Sequence, residues 1–227
     1  MAITPDNMVK TLLKHFFQKL PDPLIDPIKA LRADIRDARD HLAYQRRPRI
    51  PPPHIIKFKT LINYSRRHNL QILIETGTYE GEMVRKCRRH FRQIWTIELD
   101  KHLAEEAARR FSKLINIHVV HGESSLELSR LLQSINEPAL FWLDAHYSGG
   151  KTAKGITETP LLDELQSIGT HEIKCHVILI DDVRYFGQGD YPTIAEIEQK
   201  LLLINSDYKI TISEDILCCE PPLGNEY

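Results

Sequence analysis

Carboxylate side chains at the ends of apolar segments are the residues of this chain whose spacing could support chemistry. Carboxylates accept hydrogen bonds from hydroxyl and ammonium groups, and in pairs they bind hard cations. A single acid in such a place can be only a helix cap. Here, however, acids follow five apolar runs in succession, and this regularity indicates a ligand site. The acids are Glu75, Glu98, Glu123, Asp144 and the pair Asp181 and Asp182.

The first of these acids opens the segment Glu-Thr-Gly-Thr-Tyr-Glu-Gly, which runs from Glu75 to Gly81. It predicts a strand that turns tightly into a helix. Gly77 lets the chain turn sharply, and Gly81 lets helix, strand and ligand approach without an intervening Cβ. An open α/β sheet forms a nucleotide site at such a turn, although the same turn is also common as a purely structural connection.

The neighbouring residues restrict the kind of nucleotide. Glu98 follows Glu75 by 23 residues, close to the spacing of about 20 residues at which an acid binds a ribose in nucleotide-binding βαβ units. Tyr79 stands where a phosphate-binding turn would have a glycine, and Glu80 comes next. These acids would repel a pyrophosphate. The pattern therefore disfavours NAD and favours a ligand with a ribose, an ammonium group and a net positive charge.

The elements that must position these acids alternate regularly. Apolar strand-like runs alternate with helical segments of about ten residues, which is typical of a parallel sheet covered on both faces. The final two runs, 208–212 and 216–219, predict an antiparallel hairpin. We therefore predict a Rossmann-like α/β fold with a seven-stranded, mostly parallel sheet, a C-terminal antiparallel hairpin and additional N-terminal helices. The first five strands are predicted at 72–75, 93–99, 115–121, 139–144 and 176–182.

The N-terminal part has a different pattern. Apolar residues recur at helical spacing over 8–20, Pro21, Pro23 and Pro27 are expected to break the chain, and a charged helix is predicted over 28–44. The basic, proline-rich run 46–53 is the predicted boundary. We expect a helical extension at 1–50 and a Rossmann-like domain at 51–227. The first helix is expected to cap its own domain or to pair with a second copy in a homo-oligomer, and membrane-surface binding is the alternative.

Composition excludes several classes of function. Lys and Arg total 30 against 31 Asp and Glu, so no broad positive surface for nucleic acid is expected, despite the basic cluster over 85–92. No apolar run reaches the ~20 residues of a membrane span, and the first residues do not resemble a secretory signal. The four cysteines lack metal-ligand or disulfide spacing, and buried free thiols at Cys218 and Cys219 would fit a cytoplasmic location.

The segment 75–81, together with Glu98 and the run Gly122-Glu123-Ser124, resembles the cofactor half of the class I S-adenosylmethionine-dependent methyltransferases. The resemblance covers about 54–221, and Tyr79 departs from the commonest glycine pattern. It implies S-adenosylmethionine as cofactor, with Gly77 near the methionine, Glu98 on the ribose hydroxyls and Glu123 or Ser124 near the adenine. The predicted cofactor-binding residues are Glu75, Thr76, Gly77, Thr78, Gly81, Glu98, Glu123, Ser124 and Asp144.

The last two acidic strand ends suggest a second part of the site. Asp144 and one of Asp181 and Asp182 are expected within a few ångströms of each other, beside the transferable methyl group. Such a pair suits Mg²⁺ and resembles metal-dependent O-methyltransferases, including those that act on sugars attached to macrolides. The predicted metal ligands are Asp144, Asp181 and Asp182, and the predicted catalytic residues are Asp144, His146 and Asp182.

Alternatives remain at these positions. His146 is either a general base or only a hydrogen-bond partner of Asp144, and one aspartate of the pair 181–182 could simply cap a loop. The leading prediction is an enzyme that methylates a hydroxyl of a sugar or small molecule, with a divalent ion assisting. The alternatives are a non-catalytic domain that binds S-adenosylmethionine and a metal-dependent enzyme acting on nucleotide sugars.

Overall fold

The computed structural model describes residues 22–144 and 159–223, with side chains described from residue 31 onward. The chain divides into two compact units, Met1–Pro48 and Arg49–Tyr227. The predicted helix over 8–20, His146 and the run Ser148-Gly149-Gly150, which the sequence predicts as a loop, lie outside the described residues.

The first unit contains helix α1 (Asp22–Arg46). The prediction that Pro23 and Pro27 interrupt the chain is wrong, because both lie within this helix. Pro23 is in the first turn, where a backbone N–H has no acceptor inside the helix and its loss costs little. Pro27 lies beyond that turn, and the helix continues past it without the hydrogen bond that its N–H would have donated.

Seven strands of the second unit form one sheet in the order β3-β2-β1-β4-β5-β7-β6. Strands β1 to β5 are parallel, and β7 is antiparallel to both β5 and β6. The predicted fold class, including the C-terminal hairpin, is confirmed. The strands are β1 (Ile72–Thr76), β2 (Gln93–Glu98), β3 (Ile117–His121), β4 (Leu140–Leu143), β5 (Val177–Ile180), β6 (Lys209–Ser213) and β7 (Ile216–Glu220).

Helices connect the parallel strands, and local capping signals define where some of them start. The carboxylate of Asp100 accepts a hydrogen bond of 2.9 Å from the Leu103 N–H at the start of its helix, and Thr193 and Glu196 form a capping box at the start of the last helix. The helices are α2 (His54–Arg67), α3 (Glu82–Cys87), α4 (Lys101–Phe111), α5 (Ser124–Leu132), α6 (Leu161–Thr170) and α7 (Ile194–Ile204), with a 3₁₀ turn at Val183–Tyr185.

Two apolar layers hold the helices against the sheet. Alternate residues of one strand point to opposite faces, so Phe141 packs in the layer under α5, α6 and α7, whereas Trp142 packs in the layer under α2, α3 and α4. Both side chains are fully buried. Burying each such side chain contributes about 1.5–3 kcal/mol, and covering both faces explains why the strands read as continuous apolar runs.

The register of the strands brings their carboxyl ends level with one another. Thr76 pairs with Leu143, and Leu143 pairs with Ile180. The pairing continues one residue further, because the N–H of Asp144 donates to the Thr76 carbonyl and the N–H of Asp181 donates to the Leu143 carbonyl, both at 3.1 Å. Within the described parts of the chain, no helix is long and apolar enough to cross a membrane.

Candidate active site at the carboxyl edge of the sheet

The turn after β1 folds back over the end of β2. The N–H groups of Gly77 and Thr78 both donate to the Ile97 carbonyl, at 3.0 and 3.3 Å. Gly77, Tyr79 and Gly81 have φ angles of 87°, 47° and 67°, so three residues of the turn are left-handed. Two of them are glycines, which adopt this conformation without a steric penalty. The third residue, Tyr79, adopts the left-handed conformation although it has a side chain, and it is about half exposed.

Glu98, at the end of β2, connects the turn after β1 to the turn after β2 by hydrogen bonds. Its Oε2 accepts from the Tyr79 N–H at 2.7 Å, and its Oε1 accepts from the Asp100 N–H at 2.9 Å. The side chain is buried. A carboxylate held by two backbone donors is fixed in orientation, and the remaining lone pairs of its oxygens can accept hydrogen bonds from a ligand.

Glu75 lies beneath the turn, on the face covered by α3 and α4. It is only 2% exposed, and its carboxylate accepts a hydrogen bond from the Thr96 hydroxyl, which also bonds the Thr78 hydroxyl at 2.6 Å. Burial, aided by repulsion from Asp144 and Glu98 and opposed by the hydrogen bond from Thr96, raises the pKa of Glu75 to about 8. Glu75 is therefore mostly neutral at pH 7.

On the opposite face of the sheet, a buried acid that the sequence analysis missed approaches the same edge. Glu164 of α6 is 1% exposed, and among the described residues its Oε1 has no hydrogen-bond partner; the same holds for the buried Thr76 Oγ1. Burial raises the pKa of Glu164 to about 7, opposed by the nearby hydroxyls of Ser124 and Thr76. Glu164 follows Leu161 and precedes Leu165 and Ile168, so it sits on the buried stripe of its helix, a position that could have identified it.

The residues predicted near the adenine follow β3. Ser124 is buried at the start of α5, and the Glu123 carboxylate accepts a hydrogen bond of 2.7 Å from the Ser125 hydroxyl. Gly122 is joined to β2 by its N–H, which donates to the Glu98 carbonyl at 3.0 Å. The third strand end therefore lies beside the second.

Asp144, Asp181 and Asp182 form the second part of the site, which we call the acid cluster. One carboxylate oxygen of each lies within 4.8 Å of the others. Asp182 is left-handed, with φ of 60°, a conformation that Asp adopts more readily than most residues. The acidic strand ends predicted Asp144 beside one aspartate of the pair, and the structure brings both beside it.

A buried lysine lies against the acid cluster. The ammonium of Lys57, from α2, donates to Asp181 Oδ2 and, at 3.2 Å, to Asp182 Oδ1. Burial by itself lowers the pKa of Lys57, but the charges of Asp181, Asp182 and Asp144 together outweigh it and raise the pKa above its usual value. The ammonium is therefore charged at neutral pH. Lys57 shares the buried stripe of α2 with Leu61 and Ser65, which was the available sequence signal for it.

Arg184 contacts the cluster from the other side. Its guanidinium donates to Asp182 Oδ1 at 2.6 Å and also pairs with Asp215. Beside the cluster is a small crevice that is partly open to solvent, and it includes Asp144, Asp181 and Glu164 among its walls. Aromatic side chains of Phe186 and Tyr191 complete it. Convergent carboxylates beside an apolar wall are suited to contacting a small polar group.

Comparison with known proteins relates this architecture to methyltransferases. No protein-family model and no curated protein matches the chain. Solved structures do match. An O-methyltransferase from Bacillus cereus in complex with S-adenosylhomocysteine is 14% identical, with a TM-score of 0.54 over 89% of this chain and 92% of that one. TomG from Streptomyces achromogenes, an O-methyltransferase involved in tomaymycin synthesis and solved with S-adenosylmethionine, is 18% identical, with a TM-score of 0.51 over 82% and 88%. The chain has the α/β fold of these methyltransferases.

Proposed function

We propose that this chain, which has the fold of the class I methyltransferases, transfers a methyl group from S-adenosylmethionine to a hydroxyl oxygen of a small molecule or sugar. The observation that carries the proposal is the juxtaposition, at one sheet edge, of the glycine turn clamped by Glu98 and the acid cluster. A cofactor with a ribose and a sulfonium suits the first part, and an oxygen acceptor suits the second.

In this proposal the cofactor occupies the ends of β1, β2 and β3. The ribose hydroxyls donate to Glu98, the methionine end lies against Gly77 and Thr78, and the adenine lies near Glu123 or Ser124. S-adenosylmethionine carries one net positive charge, whereas its demethylated product carries none. An acid-rich edge therefore favours the substrate form of the cofactor over the product form, and the loss of positive charge on transfer assists product release.

The reaction is one direct displacement. The acceptor oxygen attacks the methyl carbon, an O–C bond forms, the C–S bond breaks with its electron pair going to sulfur, and the acceptor proton passes to a base. Asp144 is the proposed proton acceptor, with His146 as the alternative base, and Asp182 helps to orient the acceptor. No covalent intermediate with the protein is needed, so the protein contributes mainly alignment and electrostatics.

A divalent ion at Asp144, Asp181 and Asp182 stays a prediction. Three carboxylates are the donor type that Mg²⁺ takes, but two of them already accept from the Lys57 ammonium, and Asp182 Oδ1 also accepts from Arg184. In this arrangement the donor set does not fit an additional divalent ion. The proposed reaction therefore has no step that involves a metal.

Calorimetry on the full chain tests the proposed function. We expect S-adenosylhomocysteine to bind at micromolar concentrations, and UDP and GDP sugars not to bind, because a pyrophosphate would meet the acids of the β1 turn. Labelled S-adenosylmethionine, offered with a panel of sugars and small hydroxyl compounds, should then give a methylated product. Absence of S-adenosylhomocysteine binding would refute the proposal. Binding without transfer to any acceptor would favour the non-catalytic domain, and binding of a nucleotide sugar instead would favour the third alternative.

The pKa of Glu75 predicts how cofactor binding depends on pH. Glu75 is mostly neutral below pH 8 and negatively charged above it, so the sulfonium should be held more strongly as pH rises. S-adenosylmethionine and S-adenosylhomocysteine share the same amino group. The contribution of this group to the pH dependence therefore cancels in the ratio of the two affinities. We expect this ratio to rise roughly three- to tenfold between pH 6.5 and 9. Glu75→Gln, neutral throughout, should remove most of the rise; a rise that persists in this variant would assign it to another group.

A further inference from the structure

We propose that Lys57 is the resident cation of the acid cluster: it holds Asp181 and Asp182 in place and excludes a divalent ion from the three carboxylates. This consequence rests on the proposed function: methyl transfer proceeds without a divalent ion. Lys57 is a positioning residue in this account, since it acts through the aspartates rather than on the cofactor.

The geometry supports this assignment. Lys57, Asp181 and Asp182 are 8%, 4% and 5% exposed, and the ammonium bonds a carboxylate oxygen of each aspartate. Buried carboxylates this close together repel one another unless a cation lies between them. Because Lys57 extends from α2, 124 residues before Asp181, the cation that joins these aspartates is part of the fold and is present before any ligand arrives.

A divalent ion would compete with this ammonium for the same oxygens. An ion bound by these carboxylates would sit about 2.0–2.6 Å from its oxygen ligands, and the Lys57 ammonium contacts two of the same three groups. The two cations would therefore lie a few ångströms apart in a buried site, where repulsion is poorly screened. Asp182 is further occupied by Arg184 at 2.6 Å. Uptake of a divalent ion requires the ammonium to withdraw, and Lys57 is a buried residue of α2.

Binding of Mn²⁺ and Mg²⁺ to the full chain, measured by calorimetry without cofactor or acceptor, tests the inference. We expect the native protein to bind neither ion appreciably at millimolar concentration. Lys57→Met, which keeps the apolar stem and removes the charge, should bind Mn²⁺ at least tenfold more tightly than the native protein. Lys59→Met, on the exposed side of the same helix, should behave like the native protein. Adding Asp181→Asn to Lys57→Met should abolish the new binding and so assign it to the acid cluster.

Two results would overturn the inference. The first is tight ion binding by the native protein that Asp181→Asn removes, and the second is a Lys57→Met variant that is folded but gains no affinity. If Lys57→Met does not fold, the melting temperature of the native protein is measured with and without millimolar Mg²⁺. An increase with Mg²⁺ that Asp181→Asn abolishes contradicts the proposal. An unchanged melting temperature supports it. None of these measurements involves S-adenosylhomocysteine, so failure of the proposed function remains distinguishable from failure of this inference.

Discussion

Replacing Asp144 with asparagine is expected to lower the rate of methyl transfer by about 100-fold or more while changing the affinity for S-adenosylhomocysteine less than about threefold. Asparagine keeps the size of the side chain and the backbone hydrogen bond from residue 144 to the Thr76 carbonyl, but it cannot accept the proton of the acceptor hydroxyl. Loss of a positioned base typically costs 10²–10⁴ in rate. Initial rates with labelled S-adenosylmethionine and an acceptor from the panel measure the first quantity, and calorimetry measures the second.

Asp163→Asn is the matched control for that change. Asp163 lies on the exposed side of α6, one residue before the buried Glu164, so the same substitution there should leave both rate and affinity unchanged. If Asp144→Asn reduces cofactor affinity as strongly as it reduces the rate, Asp144 serves cofactor binding rather than proton transfer. An unchanged rate would remove Asp144 from the mechanism altogether.

Gly81→Ala is expected to lower the free energy of unfolding by about 2–5 kcal/mol. Gly81 has φ of +67°, and an added Cβ would lie 2.9 and 3.0 Å from two ring carbons of the buried Phe111. The left-handed conformation costs a non-glycine residue roughly 1–2 kcal/mol, and overpacking costs about 1–3 kcal/mol more. Urea denaturation followed by circular dichroism measures the difference.

A second glycine, Gly169, provides a control for the substitution at Gly81. Gly169 lies in α6, where an added Cβ would meet, among the described residues, only Ile204, at an ordinary 3.5 Å. Gly169→Ala should therefore leave stability unchanged or increase it by up to about 1 kcal/mol, because alanine favours the helix. Equal stability of the two variants would show that the turn after β1 tolerates a side chain at position 81.

The sequence predicted the scaffold of the site because local signals determine it. Asp100 and the Thr193–Glu196 capping box define the starts of α4 and α7, and the apolar runs define strands that must all end at one edge. The acids at those ends could therefore be placed without knowing any side-chain contact. Proline was misleading in α1, since a break expected at Pro23 and Pro27 is absent there.

The contacts within the site could not be predicted in the same way. Lys57 meets Asp181 across 124 residues of sequence, and nothing local to either residue indicates the pairing. Glu164 reaches the sheet edge only through the packing of α6, which brings it near Thr76 and Asp144. In both cases a charged residue on an otherwise apolar helical stripe was the visible sign. Its partner depended on tertiary packing.

Among the described residues, the buried Thr76 Oγ1 and Glu164 Oε1 have no hydrogen-bond partner. A buried polar atom without a partner lowers the free energy of unfolding by about 1–3 kcal/mol. A ligand or a water molecule that formed hydrogen bonds with both atoms would remove that penalty. The same hydrogen bonds made at the protein surface would contribute much less. Occupation of this edge should therefore be visible as a gain in heat resistance and in protection of the β1 and α6 amides from hydrogen exchange, larger than the contact area alone would suggest.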